Sequence, residues 1–120
     1  MAIKSFDEFW PFYVGEHSLK TTRVFHFWGT NLVIASIIAG LATRNPLWIL
    51  AAPVGGYGPA WISHFFIEKN KPASFKHPLW SLMADFVMWS KQVRGIMDAE
   101  VALYVPQTRI QAKDSVLTEA

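Results

Sequence analysis

The chain has 120 residues, of which 52% are hydrophobic and 17% charged, and its formal net charge is +2. This length allows one domain at most, and soluble domains usually have about 25% charged residues. The small net charge, without a basic stripe, argues against a nucleic-acid partner, and the absence of cysteine excludes disulfides and thiolate metal sites. The six tryptophans favour a membrane as the surroundings of the apolar residues; a homo-oligomer and an unusually apolar core are the alternatives.

The first predicted helix covers about residues 5–15. Ser5 and Glu8 have the spacing of a capping box, which starts a helix. One apolar stripe, with residues recurring every three or four positions, consists of Phe6, Phe9, Trp10 and Tyr13. Such an amphipathic helix is suited to lie on a membrane surface or against another helix.

Two uncharged runs follow, at residues 24–43 and 47–67, with a polar turn around Pro46 between them. At about 1.5 Å per residue, either run can cross the roughly 30 Å hydrocarbon layer as a helix. The prolines and glycines of the second run are tolerated in membrane helices and allow close packing against small residues such as Gly29. We therefore predict an all-α membrane protein with an antiparallel two-span transmembrane hairpin, its first span capped by Thr21 or Thr22. A soluble helical bundle is the alternative.

A third amphipathic helix is predicted at about residues 78–97. Pro78 suits its first position, and the uncharged part before Asp85 is too short to cross a membrane. An interfacial helix that covers the histidine side of the hairpin is expected, with a third span as the alternative. Residues 1–105 are predicted to form the single domain, and residues 106–120 a flexible C-terminal tail.

All four histidines fall at one end of the predicted hairpin. His26 stands near the start of the first run and His64 near the end of the second, and His17 and His77 lie just outside the runs. Most lysines and arginines lie at this end too, so the positive-inside rule predicts an integral membrane protein whose histidine face and N-terminus are cytoplasmic, at the inner membrane of a bacterium. Imidazoles and carboxylates suit Fe, Zn or Mn. The candidate metal ligands are His17, His26, His64 and His77; hydrogen-bonded structural histidines are the alternative.

Three charged residues near the histidines have two interpretations each. Glu68 follows His64 by one helical turn and either belongs to the site or pairs with a lysine in solvent. Arg23 either binds a lipid phosphate or substrate carboxylate or is a snorkelling charge at a helix end. Asp85 either accepts an N–H from a ligating histidine or faces water. Glu68 and Arg23 are the candidate catalytic residues.

Three sequence features together resemble one family of small membrane proteins. They are the nine-residue spacing of His17 and His26, the pattern His-x-x-x-Glu-Lys-x-x-Pro-Ala from His64 to Ala73, and the later pair Ser81-Leu82. The family is that of the fungal 2-hydroxy fatty acid dioxygenase of phytosphingosine breakdown, and its mainly bacterial branch is similar to this chain over residues 6–89. The resemblance implies an Fe(II)-dependent membrane dioxygenase that oxidises a 2-hydroxy fatty acid with O₂ and shortens it by one carbon.

The resemblance also implies roles for individual residues. By position, His17, His26 and His64 would bind Fe(II), and Glu68 matches the glutamate of the family. The hydroxy acid and O₂ would bind at the metal while the acyl chain stays in the lipid. Two other functions are alternatives: a redox module in which two histidines hold a haem, and a structural or interaction protein with merely hydrogen-bonded histidines.

Overall fold

The computed structural model describes residues 3–105, which are all-helical, as predicted. Within this range the α-helices are α1 (Phe6–Glu16), α2 (Lys20–Thr43), α3 (Leu47–Ile62), α4 (Pro78–Val93) and α5 (Met97–Tyr104). A π-helical turn, Ser63–Glu68, continues α3, and a 3₁₀ turn, Ala73–Phe75, precedes α4. The predicted C-terminal tail, residues 106–120, lies outside the described residues.

Helix α1 starts as the capping signal predicts. The Ser5 hydroxyl accepts a hydrogen bond from the Glu8 N–H at 3.2 Å, which satisfies one of the unpaired donors of the first turn. The other half of a capping box is absent, because the Glu8 carboxylate accepts from the Lys4 N–H instead. The apolar stripe of α1 is buried except for Phe6, which is partly buried. The helix ends at the cap residue His17.

Helices α2 and α3 form an antiparallel pair joined by a short turn. Arg44 adopts a left-handed conformation (φ 55°) that ends α2, and Pro46 immediately precedes α3. A Cβ atom on Gly29 would lie 3.2–3.3 Å from the carbonyl oxygens of Gly55 and Gly56. The close packing of small residues is therefore confirmed, and glycine at position 29 is what permits it.

The start of α2 differs from the prediction. The helix begins at Lys20 with Leu19 as its cap residue, and the Leu19 side chain makes no capping hydrogen bond. The proposed capping role of Thr21 or Thr22 is wrong, because Thr22 lies inside the helix and donates its hydroxyl proton to Glu68. A carboxylate from a distant part of the chain thus supplies the acceptor at this helix start.

Helix α4 begins with Pro78 in its first turn, as predicted, but ends before residue 97. Gly95 has a φ of +73°, a conformation that favours glycine, and it turns the chain. The Ile96 N–H then donates to the Lys91 carbonyl at 2.9 Å, a bond typical of a helix C-terminus. The remaining residues form the separate helix α5.

The molecule has a packed end and an apolar exposed end. Helices α1, α4 and α5 pack around one apolar core, whose largest members are Phe9, Trp10, Tyr13, Met88 and Met97. Around the α2–α3 turn, by contrast, large apolar side chains face outward, and Leu41, Leu47 and Leu50 are 67–71% exposed. Among residues 3–105, one helix, α2, is long and apolar enough to cross a membrane by itself, judged on length and composition.

Candidate metal site

His17 lies where α1 gives way to α2. Its ring stacks on Tyr13 with the centroids 4.0 Å apart, and its Nδ1–H donates to the Tyr13 carbonyl at 2.7 Å. Arg23 donates from Nη1 to the carbonyl oxygens of His17 and Ser18, at 2.8 Å each. The ring and the backbone of His17 are therefore both held, and the side chain is 1% exposed.

His64 lies in the π-helical turn that follows α3. Lys69 ends that turn in a left-handed conformation (φ 62°), so the chain doubles back and the Asn70 N–H donates to the His64 carbonyl at 2.9 Å. The Asn70 amide oxygen then accepts a hydrogen bond from His64 Nδ1 at 2.7 Å. The amide nitrogen of Asn70 donates to the carbonyl and the carboxylate of Glu16, and these bonds fix which amide atom faces the imidazole.

The Nε2 atoms of three histidines meet at one point. Those of His17 and His26 are 3.1 Å apart, those of His26 and His64 3.2 Å, and those of His64 and His17 3.0 Å. Two nitrogens that bind one ion at about 2.1 Å lie about 3.0–3.4 Å apart in octahedral or tetrahedral coordination. The three distances therefore fit a set of adjacent ligands of one metal ion, and all three side chains are buried.

The protonation of the rings strengthens this interpretation. The Tyr13 carbonyl and the Asn70 amide oxygen can only accept, so His17 and His64 carry their protons on Nδ1 and present bare Nε2 lone pairs. Two lone pairs 3.0 Å apart repel each other. A cation bound by all three nitrogens resolves the conflict.

Burial keeps His17 in the form that a metal ion needs. Desolvation, followed by the charges that His26 and His64 would carry, lowers the pKa of His17 well below its usual 6.5. The neutral imidazole is the metal-binding form. The ring is thus ready to bind a cation at neutral pH without first losing a proton.

Asp85 lies behind His26. Its Oδ1 atom accepts a hydrogen bond from the Tyr13 hydroxyl at 2.5 Å and lies 3.7 Å from His26 Nδ1. Burial raises the pKa of Asp85 to about 7, although the Tyr13 hydrogen bond opposes the shift, and burial beside Asp85 raises the pKa of Tyr13. At 3.7 Å the predicted hydrogen bond from His26 to Asp85 is not formed. The carboxyl group nevertheless lies beside the His26 ring and is only partly exposed.

Glu68 is buried beside the site and serves the start of α2. Its carboxylate accepts hydrogen bonds from the Ser18 hydroxyl at 2.9 Å, the Leu19 N–H at 2.8 Å and the Thr22 hydroxyl at 2.7 Å. The group of candidate ligands contains the three histidines and not Glu68. The solvent-exposed interpretation of Glu68 is wrong, since the residue is 4% exposed.

Arg23 and His77 lie in different settings. Arg23 is buried, and besides its two carbonyl contacts it forms an ion pair with Asp98 at 3.3 Å; it is not a snorkelling surface charge. The geometry does not bring His77 into the cluster. Its ring stacks on Trp80 with centroids 5.5 Å apart and meets the ring of Phe9 edge-on.

Sequence reasoning missed three residues that hold the cluster in place. Asn70 and Glu16 orient His64, and Tyr13 contacts both His17 and Asp85. The sequence pattern places Tyr13 only in an apolar stripe, although a buried tyrosine hydroxyl usually finds a hydrogen-bond partner. The roles of Asn70 and Glu16 depend on the left-handed conformation of Lys69, which ends the π-helical turn. A lysine in the sequence does not predict that conformation.

Comparison with known proteins agrees with the geometry. The profile of one family, described as 2-hydroxy-palmitic acid dioxygenase Mpo1-like, matches residues 3–97, which include all three histidines of the cluster. No curated protein and no solved structure matches the chain. The resemblance found in the sequence is confirmed, and the chain belongs to the 2-hydroxy-palmitic acid dioxygenase Mpo1-like family.

Proposed function

We propose that the chain is an Fe(II)-dependent membrane dioxygenase that oxidises a 2-hydroxy fatty acid, or a related lipid, and shortens it by one carbon. The observation that carries the proposal is the convergence of three buried Nε2 atoms, two of which present lone pairs because their Nδ1 atoms donate elsewhere. The description of the family supports the substrate class.

We propose His17, His26 and His64 as the iron ligands. Three protein ligands leave coordination positions open for substrate and O₂, and Fe(II) would supply the electron transfer to O₂ that Zn²⁺ cannot. A haem is less compatible with the site, because imidazole nitrogens as close together as these leave no room for a macrocycle between them. The three nitrogens here are within 3.2 Å of one another.

The neighbouring residues would position these ligands. Asp85 would orient His26, and Asn70 would hold His64 in the tautomer that leaves Nε2 unprotonated. Glu68 and Arg23, the candidate catalytic residues, would fix the junction of α1 and α2 from which His17 projects. We assign both of them a positioning role, because each contacts backbone or hydroxyl groups of that junction.

The proposed reaction sets the assay. Conversion of R–CHOH–COOH to R–COOH with one O₂ balances when C1 leaves as CO₂ and the remaining oxygen atom and hydrogens leave as water. Anaerobically purified protein is expected to contain one iron per chain and to consume O₂ and release CO₂ in equal amounts. Replacing His17, His26 or His64 by alanine should abolish both iron binding and turnover, whereas His77→Ala is the matched control that keeps them. Iron-free protein, or unchanged turnover in His64→Ala, would refute the proposal.

We also propose that α2 and α3 are the two spans of a transmembrane hairpin. Only 22% of the apolar window of α2 is buried by the rest of the protein, whereas the core helix of a soluble protein is mostly buried. The 16 residues of α3 and the six of the π-helical turn form the return leg. The outward-facing leucines around the α2–α3 turn support insertion, since such large apolar patches are rare on soluble monomers.

The orientation can be tested because the chain has no cysteine. With the histidine end in the cytoplasm, Lys71→Cys should react with a membrane-impermeant maleimide only after the cells are permeabilised. Asn45→Cys, in the opposite turn, should react in intact cells. The reverse pattern would invert the topology, and equal reaction of both variants would reject the two-span hairpin.

A further inference from the structure

A cavity of about 180 Å³ begins at the histidine site and extends between α2, α3 and α4. Its polar lining includes His26 and Asp85, which lie at the candidate metal site. Apolar residues contributed by all three helices line much of the remainder, among them Val33, Ala52 and Leu82. The cavity therefore joins a polar end, where chemistry is proposed, to an apolar body.

The direction of the cavity follows from helix geometry. His26, Thr30 and Val33 share one face of α2, and the distance from the first to the last along the axis is about 10 Å. Since α3 runs antiparallel to α2, Ala52 lies one turn farther from His64 than Gly56, whose added Cβ would meet the Val33 side chain at 2.8 Å. Ala52 is 8% exposed and forms a buried part of the wall at this end of the cavity.

One side of the cavity is open toward the surroundings of the protein. Leu82 and Phe86 of α4 and Tyr57 of α3 line it and are 39–49% exposed. These half-exposed side chains are apolar or aromatic, so the opening is suited to a hydrocarbon chain.

We propose that this cavity binds the part of the substrate acyl chain nearest its reacting carbons, and that the rest of the chain leaves past Leu82 and Phe86 into the lipid. The carboxylate and 2-hydroxyl then lie at the histidine end, beside His26 and Asp85. This inference rests on the proposed function and adds a specificity site to it: Val33 and Ala52 limit the shape of the first stretch of chain. The occupant is a 2-hydroxy acid with a hydrocarbon tail, because the lining beyond His26 and Asp85 is mostly apolar.

Photo-crosslinking tests the binding site without any need for turnover. The full chain in nanodiscs is irradiated with 2-hydroxyhexadecanoic acid that carries a diazirine a few carbons from its 2-hydroxyl group, within the stretch that the cavity is proposed to hold, and the labelled peptides are mapped. Labelling at α2 and α3 positions lining the cavity, such as Val33 and Ala52, is the expected result. Labelling spread over the outer surface of the hairpin around Leu41 and Trp48 would overturn the proposal.

A paired substitution tests specificity. Ala52→Phe fills the cavity and should weaken binding of 2-hydroxyhexadecanoic acid about tenfold or more, with a smaller effect on 2-hydroxyhexanoic acid. Ala51→Phe, the same change at an exposed neighbour that does not line the cavity, should alter neither. Equal binding by the two variants at both chain lengths would reject the acyl site.

The outcomes separate this inference from the proposed function. Cavity labelling in a protein that binds no iron and turns nothing over would keep the acyl site and reject the dioxygenase. Normal turnover together with unchanged chain-length dependence in Ala52→Phe would keep the dioxygenase and reject the acyl site. If Ala52→Phe fails to fold, which iron content and thermal melting reveal, the labelling of the wild-type chain alone decides.

Discussion

Replacing Glu68 by glutamine distinguishes a structural carboxylate from a metal ligand. The wild-type carboxylate accepts three hydrogen bonds, from Ser18, Leu19 and Thr22. Glutamine keeps the shape, but it removes the charge and places an NH₂ group where an acceptor stood. Hydrogen bonds to charged groups contribute about 1.5–3 kcal/mol each and neutral ones about 0.5–1.5, so the loss over three bonds, partly relieved by rotation of the hydroxyls, is about 2–4 kcal/mol.

The assay compares thermal unfolding and iron content of the same purified samples. Glu68→Gln is expected to melt on the order of 10 °C below wild type and yet to bind iron with the same stoichiometry at low temperature. The exposed variant Glu8→Gln serves as the control and should change stability by no more than about 0.5 kcal/mol. A variant that melts like wild type but has lost its iron would refute the structural role and make Glu68 a ligand.

Three further predictions concern the cluster and the hairpin. Asn70→Ala should weaken iron binding by about 10–100-fold, because His64 loses the acceptor that fixes its tautomer; competition with a chelator measures this. Gly29→Ala should lower the free energy of unfolding, measured by thermal melting, by about 1–3 kcal/mol, because the added Cβ meets carbonyl oxygens of α3. Gly58→Ala is the control, since a Cβ there meets nothing within 4 Å. The pKa of His17 is lowered in the folded protein, so below about pH 6.5 the unfolded chain binds a proton at His17 that the folded chain does not. Acidification of metal-free protein should therefore lower its free energy of unfolding. Asp85, whose pKa is raised to about 7, stabilises the folded state on acidification. The contribution of His17 is therefore measured as the difference in the pH dependence of stability between wild type and His17→Gln.

Each of these has a result that contradicts it. Asn45→Ala, which removes an asparagine from the opposite turn, should leave iron binding unchanged; an equal loss in both asparagine variants would mean that general destabilisation is the cause. Equal melting of the two glycine variants would remove close packing as the reason for glycine at position 29. A pH dependence of stability that is the same with and without the imidazole of residue 17 would show that His17 titrates normally.

The sequence predicts that all four histidines collect at one end of the hairpin, and in the structure three of them meet. Two uncharged runs joined by a short turn must return the chain to its starting level, so His26 and His64 are expected at the same end of the hairpin. His17 precedes the first run by a few residues and remains close for the same reason. His77 is equally near in the sequence, yet the 3₁₀ turn Ala73–Phe75 and the start of α4 direct it to the aromatic rings of Phe9 and Trp80.

The contacts that orient the histidines were beyond the sequence because they depend on single backbone conformations. Helical spacing predicts that Glu68 contacts His64. In the structure the π-helical turn and its left-handed end at Lys69 bring Asn70 to the His64 imidazole instead. Glu68 instead reaches the start of α2, 46 positions back along the chain at Thr22. Hydropathy and helical period report which face is apolar, and neither reports which of two nearby polar side chains binds an imidazole.

The location of the cluster follows from the division of the molecule into two ends. A three-histidine site needs rigid neighbours, and the core formed by α1, α4 and α5 supplies them on one side through Tyr13 and Asp85. The proposed substrate, with its long hydrocarbon chain, needs an apolar approach, and the cavity that starts at His26 and is lined by α2, α3 and α4 would supply it on the other side. Neither end alone has both properties. The site therefore has to lie at their junction, where a polar head and an apolar tail can be bound at the same time.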